Sequence, residues 1–294
     1  MLNRDWVPVD PVIYRIFKQG SMTYFNSALF FPPEVRTNVF KLYAFLRKAD
    51  DFVDRVPPDV KGFYEFRREY EKAESSGETK DVVIKNFLDL SRERNFDTRW
   101  VMAFLDAMEM DLYKKTYSTL DELLHYMYGS AEVVGLFMAR ILGLSEESFI
   151  YARHQGRAMQ YINFIRDVQE DLELGRQYLP LEDLRRYGLN SLDPKYFSQR
   201  REAFSRFIRE QIKRYLEWQR FAERGYIYIP YRYLIPIKTA SDMYKDTAKI
   251  IYRNPWIVFQ RKVKPQRSQI VYKAYANLVC AIRYKLPWGA ASCT

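Results

Sequence analysis

The sequence predicts an all-α, single-domain helical bundle, and three observations carry that prediction. Apolar residues recur at three- and four-residue spacing along almost the whole chain. Proline and glycine stand at the ends of those stripes. Period-two alternation is confined to one short stretch, Tyr226-Ile227-Tyr228-Ile229. A lone short strand has no partner to pair with, so that stretch is read as a loop or the approach to a helix.

The elements follow in chain order. Val39, Leu42, Tyr43, Phe45 and Leu46 form an apolar stripe opened by Pro32-Pro33, which a first helical turn tolerates, and stopped by Pro57-Pro58, which a helix interior does not. Val82, Val83, Phe87 and Leu90 give a second stripe, and Val101, Phe104, Leu105, Met108 and Leu112 a third. Residues 145 to 174 read as one long helix ended by Gly175, a residue free to take the positive φ of a C-terminal cap. A loop is expected from 176 to 193, around Pro180 and Gly188, and helices resume at 200–224, after Pro230 and after Pro255. The Ser/Gly-rich stretch Ser75-Ser76-Gly77-Glu78-Thr79 is too short to divide the chain, so residues 1–294 are expected to form one domain.

Lys and Arg number 47 against 37 Asp and Glu, a net charge of +10. The basic residues are scattered over helical stretches with no nucleic-acid-binding motif, so no nucleic-acid partner is expected. Most are read as solvated surface, a few as lining an anionic site, and a membrane-facing basic patch is a secondary expectation. Neither a phosphate-binding glycine-lysine loop nor a dinucleotide fingerprint occurs, which counts against a nucleotide fold. His125 and His154 match no zinc arrangement, and two cysteines, Cys280 and Cys293, imply a reducing compartment rather than a disulfide framework. The segment Met1 to Trp6 carries no apolar signal core, and no apolar run reaches the ~20 residues of a membrane span. A cytoplasmic location is expected, with peripheral association at a membrane surface as its variant. The oligomeric state is left open.

The chemistry is concentrated in two acidic clusters, Asp50-Asp51-Phe52-Val53-Asp54 and Asp167-Val168-Gln169-Glu170-Asp171. Each sets two aspartates four apart, one helical turn above the other on one face, where they repel. Asp51 lies off that face. Two such pairs call for a shared cation, and magnesium, which is held by one or two carboxylates plus substrate phosphates, fits with manganese as a substitute. The spacing therefore names Asp50, Asp54, Asp167 and Asp171 as metal ligands and a diphosphate as substrate. Asn163 is one turn before Asp167 and Gln160 one turn before Asn163, so both amides share the acidic face and suit phosphate, water or, for Asn163, metal.

The strings around the clusters sharpen this. Leu42-Tyr43-Ala44-Phe45-Leu46-Arg47-Lys48-Ala49 precedes the first, Gln160-Tyr161-Ile162-Asn163-Phe164-Ile165-Arg166 precedes the second, and Asp171-Leu172-Glu173-Leu174-Gly175-Arg176-Gln177-Tyr178-Leu179-Pro180 follows it. These closely resemble the patterns of the squalene/phytoene synthase family. Ala107-Met108-Glu109-Met110-Asp111-Leu112, Val134-Gly135-Leu136-Phe137-Met138-Ala139-Arg140-Ile141 and the stretch from Asn254 to Val263 extend the resemblance over nearly the whole chain.

What the resemblance implies is a bundle of the isoprenoid synthase type with a central cavity, and a prenyltransferase that joins two prenyl diphosphates head to head. The leading expectation is geranylgeranyl diphosphate to phytoene through a cyclopropylcarbinyl diphosphate. The alternatives are squalene or dehydrosqualene from farnesyl diphosphate, NADPH being needed only for squalene, and a non-catalytic relative acting in assembly or lipid binding. By position in the family strings, Arg47, Arg166 and Arg261 are implied as diphosphate contacts. Tyr24 and Tyr43 are implied near the substrate, and Tyr128 and Tyr244 as catalytic tyrosines. Two departures stand out. Met22 replaces a family cation, and Glu132 in Ser130-Ala131-Glu132-Val133-Val134-Gly135 either intrudes on the pocket or pairs with a base.

Overall fold

The computed structural model describes residues 9–20, 25, 28–196, 200–263 and 267–284. Its helices are α1 Pro11–Gly20, α2 Pro33–Val53, α3 Val60–Ser76, α4 Val82–Arg94, α5 Thr98–Tyr113, α6 Leu120–Met127, α7 Val133–Ile141, α8 Phe149–Arg166, α9 Val168–Glu173, α10 Leu181–Arg186, α11 Arg201–Glu223, α12 Tyr231–Arg253, α13 Ile257–Gln260 and α14 Arg267–Tyr284. A π-helical turn, Tyr128–Glu132, joins α6 to α7. Among the described residues the sole β-type pairing is an isolated parallel bridge between Thr116 and Gln177. The all-α expectation holds.

Local chemistry sets the helix ends. Pro33 occupies the first turn of α2. Asp59, Asp81, Asp97 and Thr119 each accept a hydrogen bond from a first-turn N–H of α3 to α6, worth about 1 kcal/mol apiece. Gly77 and Asn95 end α3 and α4 with φ of 78° and 52°. Three expectations need adjusting. The long helix of 145–174 is broken at Asp167 into α8 and α9. The loop of 176–193 contains α10. The alternating stretch 226–229 is largely a 3-10 turn, Arg224–Tyr228.

Helix α8 is the spine: α11, α7 and the π turn pack along it, while α2 packs on α5 and α7. The aromatic layer behind α2 is tight, with Phe45 stacked on Phe87 at 3.8 Å and tilted against Phe66, Tyr70 and Phe104. Between α2 and α8 lies a cavity of about 740 Å³. One of its walls exists because two glycines let backbones touch. A Cβ on Gly135 would fall 2.1 Å from the Ala152 carbonyl, and one on Gly156 2.2 Å from the Ala131 carbonyl. Glu132, beside this contact, does not enter the cavity. It is 1% exposed and pairs with Arg153 Nε at 2.8 Å and Arg157 Nη2 at 2.6 Å. Two α8 arginines thus compensate one buried carboxylate of the π turn and tie the turn to the spine.

Gly156→Ala should lower stability by about 1–3 kcal/mol, because the obstructing atom is backbone and cannot rotate aside. Urea unfolding followed by circular dichroism measures it, and an unchanged midpoint would mean that α8 and the π turn are free to part.

Candidate active site

Both acidic clusters sit where a long helix ends. Asp54 is the C-cap of α2, its N–H donating to the Asp50 carbonyl at 3.0 Å. Asp167 is the C-cap of α8, with φ −99° and ψ 17°. Its N–H donates to the Asn163 carbonyl at 2.8 Å, and the Asp171 N–H donates to its carbonyl at 2.9 Å. The break therefore turns the chain without undoing the one-turn stacking of Asp167 and Asp171. Asp50, Asp54, Asp167 and Asp171 all line one polar region of the cavity, whereas Asp51 is half exposed and does not.

Carboxylates at helix C-termini face the negative ends of two helix dipoles as well as one another. Four cations answer that field. Arg47 reaches Asp50 at 2.9 Å and Asp51 at 2.6 Å. Arg166 grips Asp167 with two bonds of 2.7 and 2.5 Å. Arg176, 5% exposed, donates to Asp54 at 2.7 Å and to the Val53 carbonyl at 2.5 Å, bridging the two clusters' segments across 122 residues. Lys262 holds Asp167 at 3.3 Å and also pairs with Glu170.

Behind Arg176 lies a fifth acid. Asp111 of α5 is buried and accepts from the Tyr126 hydroxyl at 2.7 Å and the Tyr178 hydroxyl at 2.9 Å. Burial pushes its carboxyl up to about 6, opposed by Arg176 and the two phenols. The strap carrying Arg176 and Tyr178 is fixed by pairing of 115–118 with 177–182, in which Gln177 N–H donates to the Lys115 carbonyl at 2.8 Å and Leu181 N–H to that of Tyr117 at 2.9 Å.

Asp50 is raised by burial and by Asp54, and Asp171 well above the ordinary carboxylate range by burial and by Asp167. Burial likewise pushes the Tyr43 phenol up to about 12. Among the described residues no three acidic, His or Cys side chains converge tightly enough to hold an ion by themselves. The donor set nevertheless fits a magnesium ion completed by phosphate and water, because the side-chain oxygen of Asn163 is sealed from solvent with no hydrogen-bond partner.

Of the sequence-predicted positions, Arg47, Arg166, Gln160, Asn163 and Tyr43 join the four aspartates in the cavity wall. Three do not. Arg261 is exposed, and its neighbour Lys262 faces the acids instead. Tyr128 is set off from the wall, its ring under the Arg153 guanidinium at 5.3 Å, while Tyr126 faces the cavity. Tyr244 is buried near Tyr43 and Tyr215 without lining the space. Tyr24 and Met22 lie outside the described residues. Sequence reasoning missed Arg176, Asp111 and Lys262 as participants, although each stands inside a string that carries the family resemblance.

A polar rim of paired carboxylates and cations on an otherwise largely apolar cavity, enclosed by helices, defines an isoprenoid-synthase-like site. Residues 17–269 match the model of the squalene/phytoene synthase family. A 15-cis-phytoene synthase of Enterobacter agglomerans is 30% identical over 280 residues, covering 88% of this chain and 92% of that protein. One from Synechocystis sp. is 28% identical over 285 residues, covering 90% and 83%. Among solved structures, a dehydrosqualene synthase in complex with ligand superposes with a TM-score of 0.82 at 23% identity, over 91% of this chain and 94% of its own. A squalene synthase from Alicyclobacillus acidocaldarius gives 0.75 at 23% identity, over 83% and 93%. The chain belongs to the squalene/phytoene synthase family, and it is a prenyltransferase.

The raised carboxyl of Asp171 gives a stability prediction with a definite sign. A carboxyl raised on folding binds its proton more tightly in the native state, so metal-free stability falls as pH climbs through that range. Asp171→Asn should raise the melting temperature of the metal-free protein near neutral pH and have far less effect near pH 3, where the unfolded carboxyl, with an ordinary pKa of about 3.9, is also largely protonated. Thermal unfolding in chelator at both pH values checks this, and a variant less stable than wild type at high pH contradicts it.

Proposed function

We propose that the chain condenses two molecules of geranylgeranyl diphosphate head to head, through a cyclopropylcarbinyl diphosphate, to phytoene. The observation that carries this reading is the division of one cavity. Two aspartate pairs and four cations crowd one region, and residues such as Phe104, Met108, Val134, Met138, Leu142 and Ile237 line the rest. That is a container for charged heads on hydrocarbon tails. The choice of phytoene is supported by curated relatives named 15-cis-phytoene synthase. Structural neighbours titled squalene and dehydrosqualene synthase favour farnesyl diphosphate as the second reading.

In this proposal Asp50, Asp54, Asp167 and Asp171, with Asn163, hold magnesium, for which manganese substitutes. Bound there, it supplies charge neutralisation for the departing diphosphate. Arg47, Arg166, Arg176 and Lys262, each paired with a carboxylate, would turn their forks and ammonium group to phosphate oxygens with a metal bound to the acids. Gln160 adds an amide donor beside Asn163. Tyr43, Phe164 and Tyr178 wall the reacting carbons from water, so that a carbocation persists long enough to be captured.

Asp54→Ala and Asp167→Ala should each lower turnover by about a thousandfold or more while keeping the helical circular dichroism spectrum, since each removes a charge on which the departing diphosphate depends. Chelator should stop the wild type and added magnesium restore it. Purified protein supplied with magnesium and labelled geranylgeranyl diphosphate should yield phytoene without NADPH, and should turn over farnesyl diphosphate less well, read by mass spectrometry of the extracted hydrocarbon. Squalene formed only with NADPH would replace the product assignment, and no hydrocarbon from either substrate would overturn the reaction.

A further inference from the structure

Away from the acids the cavity is lined mainly by apolar side chains, but Gln155 of α8 puts an amide into that wall, among small neighbours such as Ala152, Gly156, Ala222 and Ala240. Polar groups hold it from behind. Gln219 of α11 is 1% exposed, and Ser241 of α12 is fully buried. Oε1 of Gln155 lies within reach of three donors, the Ser241 hydroxyl at 3.3 Å, the Tyr226 hydroxyl at 3.4 Å and Gln219 Nε2 at 3.4 Å. Its own Nε2 donates to Gln219 Oε1 at 3.2 Å and makes no second hydrogen bond among the described residues. One of the two amide N–H groups is therefore left to whatever occupies the cavity. The amide cannot swing aside without abandoning donors on two other helices and the 3-10 turn.

The height of this amide along the spine gives it a role. Gln155 precedes Asp167 by 12 residues, which is about 18 Å along the α8 axis. An extended chain advances about 1.2 Å per bond, so four isoprene units of four bonds each cover about 19 Å. A four-unit tail anchored by its diphosphate at the acids thus ends at the level of Gln155, and a fifth unit has to pass it. Length alone does not stop that unit. Cavity-lining residues continue along α8 as far as Ser148, about 10 Å beyond Gln155. What the fifth unit meets is the amide. Hydrocarbon laid against it strips water from an N–H and offers no acceptor in return.

We propose that Gln155, held by Gln219, Ser241 and Tyr226, is a specificity-determining residue that limits the prenyl tail to four isoprene units through the desolvation of its remaining N–H. The inference rests on the prenyl diphosphate chemistry proposed above for the class of ligand, and adds which tail length the cavity admits. The discriminating element is polarity, not bulk. Methionine, unbranched and apolar, fills much the same space as glutamine without a donor, so it separates the two.

The test measures binding without chemistry. Prenyl thiolodiphosphates, in which a C–S bond resists ionisation, are titrated calorimetrically into the full chain with magnesium, carrying tails of three, four or five isoprene units. The wild type should bind the five-unit tail at least tenfold more weakly than the four-unit tail. Gln155→Met should narrow that gap by about tenfold, at the low end of what burying an unpartnered amide costs. Because Gln155→Met leaves the buried Gln219 short of a partner, Gln155→Met combined with Gln219→Met is measured beside it and should narrow the gap equally. The ratio of the four-unit to the three-unit tail should stay where it is in both, since neither tail passes the amide. A wild type that binds the five-unit tail as tightly as the four-unit one overturns the proposal. So does a gap that neither folded variant narrows, or an equal change in the four-to-three ratio. If the wild type shows the gap yet forms no hydrocarbon from geranylgeranyl diphosphate, the proposed reaction falls and the polar stop stands.

Discussion

The site rests on one electrostatic constraint: four cavity-facing carboxylates collected where two long helices end, with the negative ends of α2 and α8 beside them and only the start of the short α9 opposing that field. Unpaired, such a group would be ruinous for a fold of ordinary marginal stability. The chain tolerates it by giving each carboxylate a neighbour that lowers its cost. Asp50 has Arg47, Asp54 has Arg176, and Asp167 has both Arg166 and Lys262. Asp171 has Arg176, whose charge opposes the upward push of burial and of Asp167 on a carboxyl raised well above the ordinary range. The same pairing stores the cations at the polar rim, within reach of an anionic headgroup, at the stage when none is bound.

The acidic face was legible in the sequence because it depends only on helical periodicity. A spacing of four stacks carboxylates on any helix, and even the break at Asp167 preserves the i to i+4 hydrogen bond on which the stacking depends. The break itself was not legible, since neither proline nor glycine marks it. Arg176 and Asp111 were invisible as partners for a different reason. Each acts through tertiary contacts to segments 60 to 120 residues away, formed only when the strap beyond Gly175 pairs with the segment after α5. Lys262 displaced Arg261 through backbone direction. Helix α13 ends at Gln260 and Arg261 is extended, so successive side chains point opposite ways and a one-residue shift exchanges the inner cation for the outer. Tyr126 and Tyr128 differ by the same kind of geometry: two residues apart on a helix they lie about 200° apart around the axis, so Tyr126 faces the cavity while Tyr128 lies outside.

Glu132 illustrates how a departure from a family string is absorbed. A carboxylate beside a glycine-built wall would be damaging if it faced the tails. It faces the opposite way, into Arg153 and Arg157, one helical turn apart on α8. Those arginines are themselves braced on rings, Arg153 over Tyr128 and Arg157 over Trp218. The ion pairs therefore lie behind the wall, and the cavity side keeps the small residues Ser130, Ala131, Gly135 and Gly156. Wall shape and charge compensation are carried by opposite faces of one turn.

The aromatic residues divide by the same logic. Most are packing, as the stacked Phe45 and Phe87 are, and their number says nothing about chemistry. Near the carboxylates the relevant rings are few: Tyr43, Tyr126, Phe164 and Tyr178, the last two stacked at 4.2 Å. The phenols among them have their acidities suppressed, Tyr43 to about 12 and Tyr126 and Tyr178 well above the ordinary value, by burial. Burial therefore disfavours the phenolate form at all three. Two of the hydroxyls are committed as donors to Asp111, which fixes the orientation of their rings. In the proposed reaction these residues would present fixed ring faces to a developing carbocation. The hydrogen bonds from Tyr126 and Tyr178 to Asp111, with Arg176 beside Tyr178, hold that ring geometry in place.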